Sequence, residues 1–196
     1  MTLNSPEGTV RVAWAADAPG IARVQTRAWR TGYGDILPTD VLAALDEAAF
    51  EARWRESLGK PGDARNRVLV ALGPAERIVG FAVTGPCADP DADPIADGEL
   101  EALHVDPDET RQGHGSRLLH AAVDTLRADG FTRAVSWLFS TDDVLRGFLT
   151  DAGWAPDGAH RELDMYGDGA VRMKQIRLHC AVAEANGRPD PETNIA

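Results

Sequence analysis

The sequence predicts an α+β domain built on one mixed sheet of about seven strands flanked by about four helices. Three observations favour this fold class: antiparallel strand patterns in the first half, a strand, loop, helix and strand unit in the middle, and a hairpin pattern near the end. With 196 residues, 43% of them apolar, the chain can bury one continuous core. We expect one domain over residues 9–182 and a disordered tail over residues 183–196, which lack apolar periodicity.

The first half of the chain carries two helical patterns between strand patterns. Residues 9–15 alternate between apolar and other side chains, which is typical of a half-buried strand, and residues 17–29 have apolar residues at helical spacing. A second helical pattern covers residues 38–58. Residues 67–72 and 77–84 then predict an antiparallel hairpin, followed by an acidic loop over residues 85–98 that we interpret as a solvated connector.

The second half contains the unit that organises the fold. Residues 99–105 predict a strand, and a glycine-bearing loop leads into a helix that ends at Gly130. The strand pattern at residues 133–139 then predicts a crossover with parallel neighbours. A shorter helix between Asp142 and Gly153 and a hairpin around residues 167–169 complete the domain.

Charge and cysteine usage exclude several function classes. The net charge of −11 and a pI near 4.8 argue against a nucleic-acid partner, because binding phosphates requires a positive surface. Cys87 and Cys180 are too few and too far apart for a disulfide framework or a structural zinc site, and the scattered histidines have no metal-ligand spacing. No segment approaches the ~20 apolar residues of a membrane helix. We therefore expect a cytoplasmic protein without a metal or a membrane association.

The segment from Thr110 to Ser116 has the composition of an anion-binding loop. Glycines allow backbone N–H groups to turn inward, and the following helix contributes the positive end of its dipole. A Walker A motif would need a lysine that the segment lacks, and a dinucleotide fingerprint would need glycine where Leu118 stands. The remaining pattern is Q/R-x-x-G-x-G/A, in which Gly113 and Gly115 match and Thr110 departs from the first position.

On this pattern and its context, the chain resembles the GNAT superfamily of acyl-CoA-dependent N-acyltransferases. The whole run from residue 99 to residue 119 is similar to the strand-to-helix core of that family. Trp29 and Tyr33 resemble its first-helix segment, and Phe148 with Gly153 resembles its late helix. The likeness follows the family's order of elements over residues 9–178.

The resemblance implies a splayed sheet with acetyl-CoA between the strands at residues 99–105 and 133–139. Backbone groups of Leu103 and Val105 would pair with the pantetheine amides, and Asp142 falls near that arm. Trp29 and Tyr33 are the candidate acceptor-binding residues. The candidates for binding the pyrophosphate lie in and just after the glycine loop: Arg111, Gln112, Gly113, His114, Gly115, Ser116 and Arg117.

Glu99 and Glu101 are the candidate catalytic residues, because an amine nucleophile must lose a proton and a carboxylate can remove it. Strict alternation places both carboxylates on one strand face and His104 on the other. A β-bulge at about Ala102 would turn a backbone N–H near Leu103 toward the thioester oxygen.

The proton donor for the leaving thiolate is left open by the sequence. Many relatives have a tyrosine in the late helix where this chain has Leu149. Tyr33, Tyr166, Ser140 or a water molecule could replace it.

These observations predict an N-acetyltransferase that transfers an acetyl group from acetyl-CoA to a primary amine by direct attack in a ternary complex. The acceptor is a small-molecule or peptide amine, and a homodimer is left open. The negative charge favours a cationic acceptor. The alternative is a non-catalytic acyl-CoA-binding sensor or interaction module, favoured by Leu149, and a further rival is an acyl-CoA hydrolase.

Overall fold

A computed structural model describes residues 8–35, 37–165, 167–169 and 171–182. The described part of the chain forms seven strands and five α-helices, which confirms the predicted fold class. In chain order they are β1 Val10–Val12, α1 Ala18–Gly32, α2 Thr39–Ala43, α3 Glu47–Gly59, β2 Arg67–Leu72, β3 Ile78–Pro86, β4 Asp97–Val105, α4 His114–Ala128, β5 Arg133–Phe139, α5 Asp143–Asp151, β6 Ala155–Asp164 and β7 Arg172–Ala181.

All seven strands belong to one sheet with the order β1-β2-β3-β4-β5-β7-β6. Neighbouring strands are antiparallel except for β4 and β5, which are parallel and joined by the crossover helix α4. The predicted strand, loop, helix and strand unit is therefore confirmed, and it lies at the centre of the sheet.

Helices cover both faces of the sheet and create two apolar cores. On one face, Leu118 and Leu126 of α4 and Leu149 of α5 pack in the larger cluster. On the other face, Ile21 and Val24 of α1 pack against β2 and β3. These three helices follow the rule that an amphipathic helix buries its apolar stripe against the sheet.

Three predicted elements have different bounds in the structure. The single helical pattern over residues 38–58 forms two helices, because Asp46 interrupts it and caps α3 by accepting a hydrogen bond from Ala48 N at 2.9 Å. The closing hairpin is longer than predicted, since β6 begins at residue 155 and β7 ends at residue 181. The first strand is shorter and covers only Val10–Val12.

The acidic loop between β3 and β4 is largely exposed, as its composition predicted, but Asp89 docks it on the sheet. Asp89 accepts hydrogen bonds from Trp137 Nε1 at 2.7 Å and from Arg177 Nη1 at 2.9 Å, and it forms an ion pair with Arg161 at 3.3 Å. Arg177 also pairs with Asp157 at 2.8 Å. These long-range partners hold the loop against β5, β6 and β7.

Two further expectations concern the tail and membranes. The tail predicted over residues 183–196 lies outside the described residues. Among the helices that the structure describes, none combines the length and the apolarity that crossing a membrane requires.

Candidate active site

The two parallel strands at the centre of the sheet are paired at only one end. The register joins Asp97–Glu99 of β4 to residues 133–135 of β5, although β4 continues to Val105 and β5 to Phe139. Beyond that register, the Ser136 hydroxyl donates a hydrogen bond to the Leu100 carbonyl at 2.8 Å. The paired residues form what we call the closed end, and the diverging residues 100–105 and 136–139 form the open end.

A β-bulge lies where the open end begins. Thr84 of β3 pairs with Leu100, but the next residue, Val83, pairs with Ala102, so Glu101 is the extra residue. The bulge predicted at about Ala102 is therefore confirmed. It changes which face each later side chain occupies: Leu100 packs in the core beneath α4, whereas Ala102 packs against the core beneath α1.

Backbone polar groups of β4 face the cleft in the open end. The Asp106 N–H donates to the Val79 carbonyl at 2.8 Å, which fixes the direction of alternation at the end of β4. Because N–H and C=O groups of successive residues point to opposite sides of a strand, those of Leu103 and Val105 point away from β3. These two residues, which were predicted to pair with pantetheine amides, thus present their backbone groups to the cleft.

The glycine loop ends in an exposed helix N-terminus. Arg111 and Gly113 both have left-handed backbones, with φ of 62° and 81°, and α4 begins at His114. Arg117 N donates to the Gly113 carbonyl at 3.1 Å, so the N–H groups before it have no partner inside the helix. The first turn of α4 carries no acidic residue. The loop can therefore cradle an anion.

The side chains of this loop divide into two groups. Arg117 Nη2 donates to the Gln112 carbonyl at 3.0 Å and contacts His114 Nδ1 at 3.2 Å, so it braces the loop from within. Burial, together with the Arg117 charge, lowers the pKa of His114, whose buried ring stays neutral. Arg111 and Ser116 are exposed, and Arg111 is the cation of the loop that faces solvent.

Aromatic side chains from α1 line a cleft of about 260 Å³ at the open end. The Tyr33 ring contacts residues of both diverging strands, with centroids 6.2 Å from His104 on β4 and 5.6 Å from Phe139 on β5. Trp29 Nε1 donates to Nε2 of His104 at 3.3 Å. The structure thus brings the two predicted acceptor-binding residues, Trp29 and Tyr33, to one cleft with Glu101 and Leu103.

The expectation that His104 lies away from Glu101 is wrong. Both side chains line the same cleft, because the bulge at Glu101 breaks the strict alternation on which that expectation depended. Burial lowers the pKa of His104 to about 4, so the ring is neutral near pH 7. Since Nε2 accepts the hydrogen bond from Trp29, the proton of this neutral ring is assigned to Nδ1.

Tyr33 and Asp142 interact electrostatically. Burial, reinforced by the Asp142 charge, raises the pKa of Tyr33, so its phenol keeps its proton. Asp142 is buried and caps α5 by accepting from Leu145 N at 2.9 Å, and burial raises its pKa too. Leu149 is fully buried and lines the cleft without a polar group. The other sequence candidate, Tyr166, lies outside the described residues.

The two candidate carboxylates have different surroundings. Burial raises the pKa of Glu99, and the charges of Glu101 and Asp89 raise it further, while Arg161 and the Ala88 N–H oppose them. Burial alone raises the pKa of Glu101. Glu101 lines the cleft and Glu99 does not. The structure therefore brings only the second carboxylate to the open end.

A second pocket, of about 580 Å³, lies between α3 and the strands β1–β3, and we call it the side pocket. Its walls include Asn66, Arg67, Val68 and Val83. It shares four lining residues with the cleft: Gln25, Trp54, Glu101 and Ala102. Sequence reasoning did not single out Gln25, Trp54 or Asn66 as site residues, since no local motif marks them.

Comparison with known proteins decides the family. Residues 39–154 match the model of the acetyltransferase (GNAT) family, which includes the bulged strand, the glycine loop and the late helix. The chain belongs to this family. It is therefore an acyltransferase, as the resemblance in the glycine loop predicted.

Relatives of this GNAT chain support the same assignment. The uncharacterized N-acetyltransferase YuaI of Bacillus subtilis (strain 168) is 29% identical over 170 residues, which cover 87% of this chain and 91% of YuaI. PaiA N-acetyltransferase from Thermoplasma acidophilum, solved with coenzyme A, has a TM-score of 0.67 at 15% identity and covers 89% of this chain and 99% of its own. YncA from Salmonella typhimurium, solved with its cofactor acetyl-CoA, has a TM-score of 0.65 at 17% identity, covering 94% and 99%. These structures share the fold.

Among the described residues, no group of three or more His, Cys, Asp or Glu side chains could hold a metal ion.

Proposed function

We propose that the protein is an N-acetyltransferase that transfers an acetyl group from acetyl-CoA to a primary amine by direct attack in a ternary complex. The observation that carries this proposal is the open end of the β4–β5 cleft, where one strand edge has no neighbouring strand. A natural sheet protects such an edge unless a ligand uses it. The glycine loop, which can bind an anion, connects the end of β4 to the start of α4.

The chain's own residues fit coenzyme A. Backbone groups of Leu103 and Val105 would bind the amides of the pantetheine arm as an added strand would. The N–H groups at the start of α4 would bind the pyrophosphate, with the exposed Arg111 as a countercharge and Arg117 as a brace of the loop. The crystals of PaiA with coenzyme A and of YncA with acetyl-CoA support this choice of donor.

Glu101 is the residue that we propose to accept the proton of the acceptor ammonium, directly or through water. It lies on the bulge, lines the cleft and has a pKa raised by burial, which brings its basicity closer to working pH. Once neutral, the amine nitrogen attacks the thioester carbonyl carbon. The Leu103 N–H, turned into the cleft by the bulge, would stabilise the negative charge that develops on the carbonyl oxygen.

Tyr33 is the residue that we propose to assist the departing sulfur. As the C–S bond breaks, its electron pair stays on sulfur, and the phenol of Tyr33 donates a hydrogen bond to that thiolate. The second proton of the attacking nitrogen leaves as the amide forms and reaches the thiolate through solvent, which gives the free thiol. The raised pKa keeps the phenol protonated at every working pH, so it acts as a donor before and after each turnover. It would take the place of the tyrosine that the late helix lacks at Leu149.

We further propose that residues 9–182 act as one catalytic domain in a reducing cytoplasm, where Cys87 and Cys180 stay free thiols. The net charge of −11 favours a cationic acceptor.

The test is thiol release from acetyl-CoA, measured with and without a panel of primary amines. Amine-dependent thiol release with formation of the acetylated amine is the expected result. Coenzyme A binding without turnover of any amine would favour the sensor that Leu149 suggested. Thiol release that needs no amine would indicate an acyl-CoA hydrolase. Failure of coenzyme A to bind would overturn the proposed donor.

A further inference from the structure

The side pocket has the size and the wall chemistry of a small-molecule site. Its volume of about 580 Å³ falls within the ~300–1,000 Å³ typical of ligand pockets. Apolar side chains form most of its walls: Val12, Trp54, Leu58, Pro61, Val68 and Val83. An apolar body of compact size would therefore bury its surface there.

One carboxylate stands at the boundary between the side pocket and the cleft. Among the described residues, the Glu101 carboxylate makes no hydrogen bond and no ion pair, although it lines both cavities. By contrast, Arg67, the cation of the side pocket, is engaged by Asp129 at 3.0 Å and by the Asn66 carbonyl at 3.3 Å. The charge left to interact with a ligand is therefore negative.

Asn66 places a second oxygen next to this carboxylate. A Cβ built on Gly85 would lie 2.6 Å from Asn66 Oδ1 and 3.2 Å from Glu101 Oε1, so both oxygens converge over the glycine. Gly85 lacks the side chain that would separate them. An ammonium group has three N–H donors and needs several acceptors in one place. This pair of oxygens meets that need.

The residues that line both cavities form the boundary between the side pocket and the cleft, where the proposed thioester lies. Gln25 Oε1 accepts a hydrogen bond from Trp54 Nε1 at 2.7 Å, which fixes the two residues that flank the boundary. Ala102, which is small, and Glu101 complete it. A ligand with its ammonium at Glu101 thus lies beside the open end, where the thioester would be attacked.

We infer that the acceptor is a small primary amine with a compact apolar body, which occupies the side pocket while its ammonium binds between Glu101 and Asn66. This inference rests on the proposed function and narrows its acceptor class. It assigns Asn66 as an acceptor-binding residue and the walls of the side pocket as the determinant of specificity.

The experiment fills the side pocket from an exposed position. Ser57 lies on α3, is exposed and lines the pocket, so Ser57→Trp inserts an indole without removing a core contact. Ala52→Trp is the matched control, because Ala52 is an exposed neutral residue of the same helix that lines neither cavity. The probe is 2-phenylethylamine, and its dissociation constant is measured by calorimetry with coenzyme A present, beside the KM in thiol release.

The expected result is that 2-phenylethylamine binds, that Ser57→Trp weakens its binding at least tenfold and that Ala52→Trp leaves it unchanged. The affinity for coenzyme A should be the same in all three proteins. Asn66→Ala should weaken amine binding by about fivefold and leave coenzyme A binding intact, consistent with the loss of one hydrogen bond.

Three results would overturn the inference. One is the absence of 2-phenylethylamine binding while coenzyme A binds, and another is equal amine affinity in Ser57→Trp and Ala52→Trp. The third is turnover of a peptide amine that Ser57→Trp leaves unaffected, which would indicate a peptide acceptor outside the side pocket. The proposed function fails separately, when no amine of any class releases thiol from acetyl-CoA.

Discussion

The closed and open ends of the β4–β5 pair differ in how their polar groups are satisfied. At the closed end, Arg133 pairs with Asp97 at 3.3 Å and also with Asp157, and Arg177 joins Asp157 to the acidic loop. At the open end, the backbone groups of Leu103 face a cleft and the Glu101 carboxylate has no protein partner among the described residues. The same two strands therefore change from a closed ladder to an open edge within a few residues.

This contrast indicates that the closed end contributes mainly to stability and the open end mainly to binding and catalysis. Buried charges at the closed end are neutralised by several partners, which is the condition under which buried ions are tolerated. Groups at the open end have no partner among the described residues, so they are available to hydrogen-bond a ligand. We therefore expect substitutions at the open end to affect turnover or binding and substitutions at the closed end to affect stability.

The largest effect should come from Glu101→Gln, which removes the base but keeps the shape of the side chain. We expect kcat to fall about 1,000-fold, within the range for general acid–base catalysis, with an unchanged dissociation constant for coenzyme A. The matched control is Glu99→Gln at the closed end, which should lower kcat by less than about tenfold, as its surroundings are structural. Equal losses of kcat in the two variants would contradict the proposed difference between the open and closed ends.

The pH profile distinguishes a base from a structural role. Only the ionised carboxylate can accept a proton, and burial raises the pKa of Glu101 above its ordinary value of 4.5. The rate of the wild type should therefore fall as pH is lowered through that raised pKa. Glu101→Gln should lose this acidic limb.

In the ion-pair network that extends from the closed end through Arg133 and Asp157, Arg177→Met should unfold the protein more easily. The substitution removes the one cation that the carboxylates of Asp89 and Asp157 share and leaves them only Arg161 and Arg133, which costs about 3 kcal/mol of unfolding free energy. Urea denaturation checks this value. Coenzyme A affinity, measured well below the melting temperature, should change less than threefold, and a larger change would contradict the separation of the two ends.

The same variant has a predictable pH dependence. Burial raises the pKa of Asp157, but the Ala159 N–H and Arg177 outweigh it and hold that pKa below its ordinary value of 3.8. A carboxyl with a lowered pKa in the folded state stabilises above its unfolded pKa, and this stabilisation is lost as pH falls through the folded pKa. In Arg177→Met, acid unfolding should begin at a higher pH.

Gly113→Val should weaken coenzyme A binding about 50-fold. Valine strains a left-handed backbone by about 1–2 kcal/mol, and a Cβ would lie 3.1 Å from Arg117 Nη1, so the loop would turn its N–H groups away from the ligand. Calorimetric titration measures the loss. Gly158→Val is the control, because Gly158 has a similar φ of 87° with no atom within 4 Å of a Cβ. Equal losses in both variants would indicate a general effect of strain.

The smallest effect is expected for Tyr33→Phe, which removes one hydroxyl from the open end. We expect kcat to fall about tenfold, as the loss of one hydrogen bond to a charged group implies, with little change in the KM for acetyl-CoA. Steady-state kinetics of thiol release checks this. An unchanged kcat would indicate that water, and not Tyr33, stabilises the leaving thiolate.

Sequence reasoning predicted most of the fold, because its signals were local. Alternation, helical spacing and the glycines of the loop gave the fold class, the central crossover and the family. The β-bulge was predicted only through the resemblance. A bulge depends on the register between two strands, so β4 alone carried no sign that His104 would join Glu101 in one cleft.

The rest of the site depends on contacts between distant parts of the chain. Arg177 and Asp89 are 88 residues apart, and this pairing turned a loop interpreted as solvated into a docked one. The side pocket brings Trp54 of α3 and Asn66 before β2 to Glu101 of β4. No spacing rule within one segment could predict these contacts, because they follow from how helices and strands pack.

The most direct test of the account is residue-resolved amide hydrogen exchange in the free protein and with saturating coenzyme A. We predict that the amides of Leu103, Val105 and residues 113–116 become protected on binding, while those of Gly98 and Glu99, already paired with a strand on both sides, do not change. Coenzyme A binding that leaves Leu103 and Val105 unprotected would contradict the claim that the open end is the donor site.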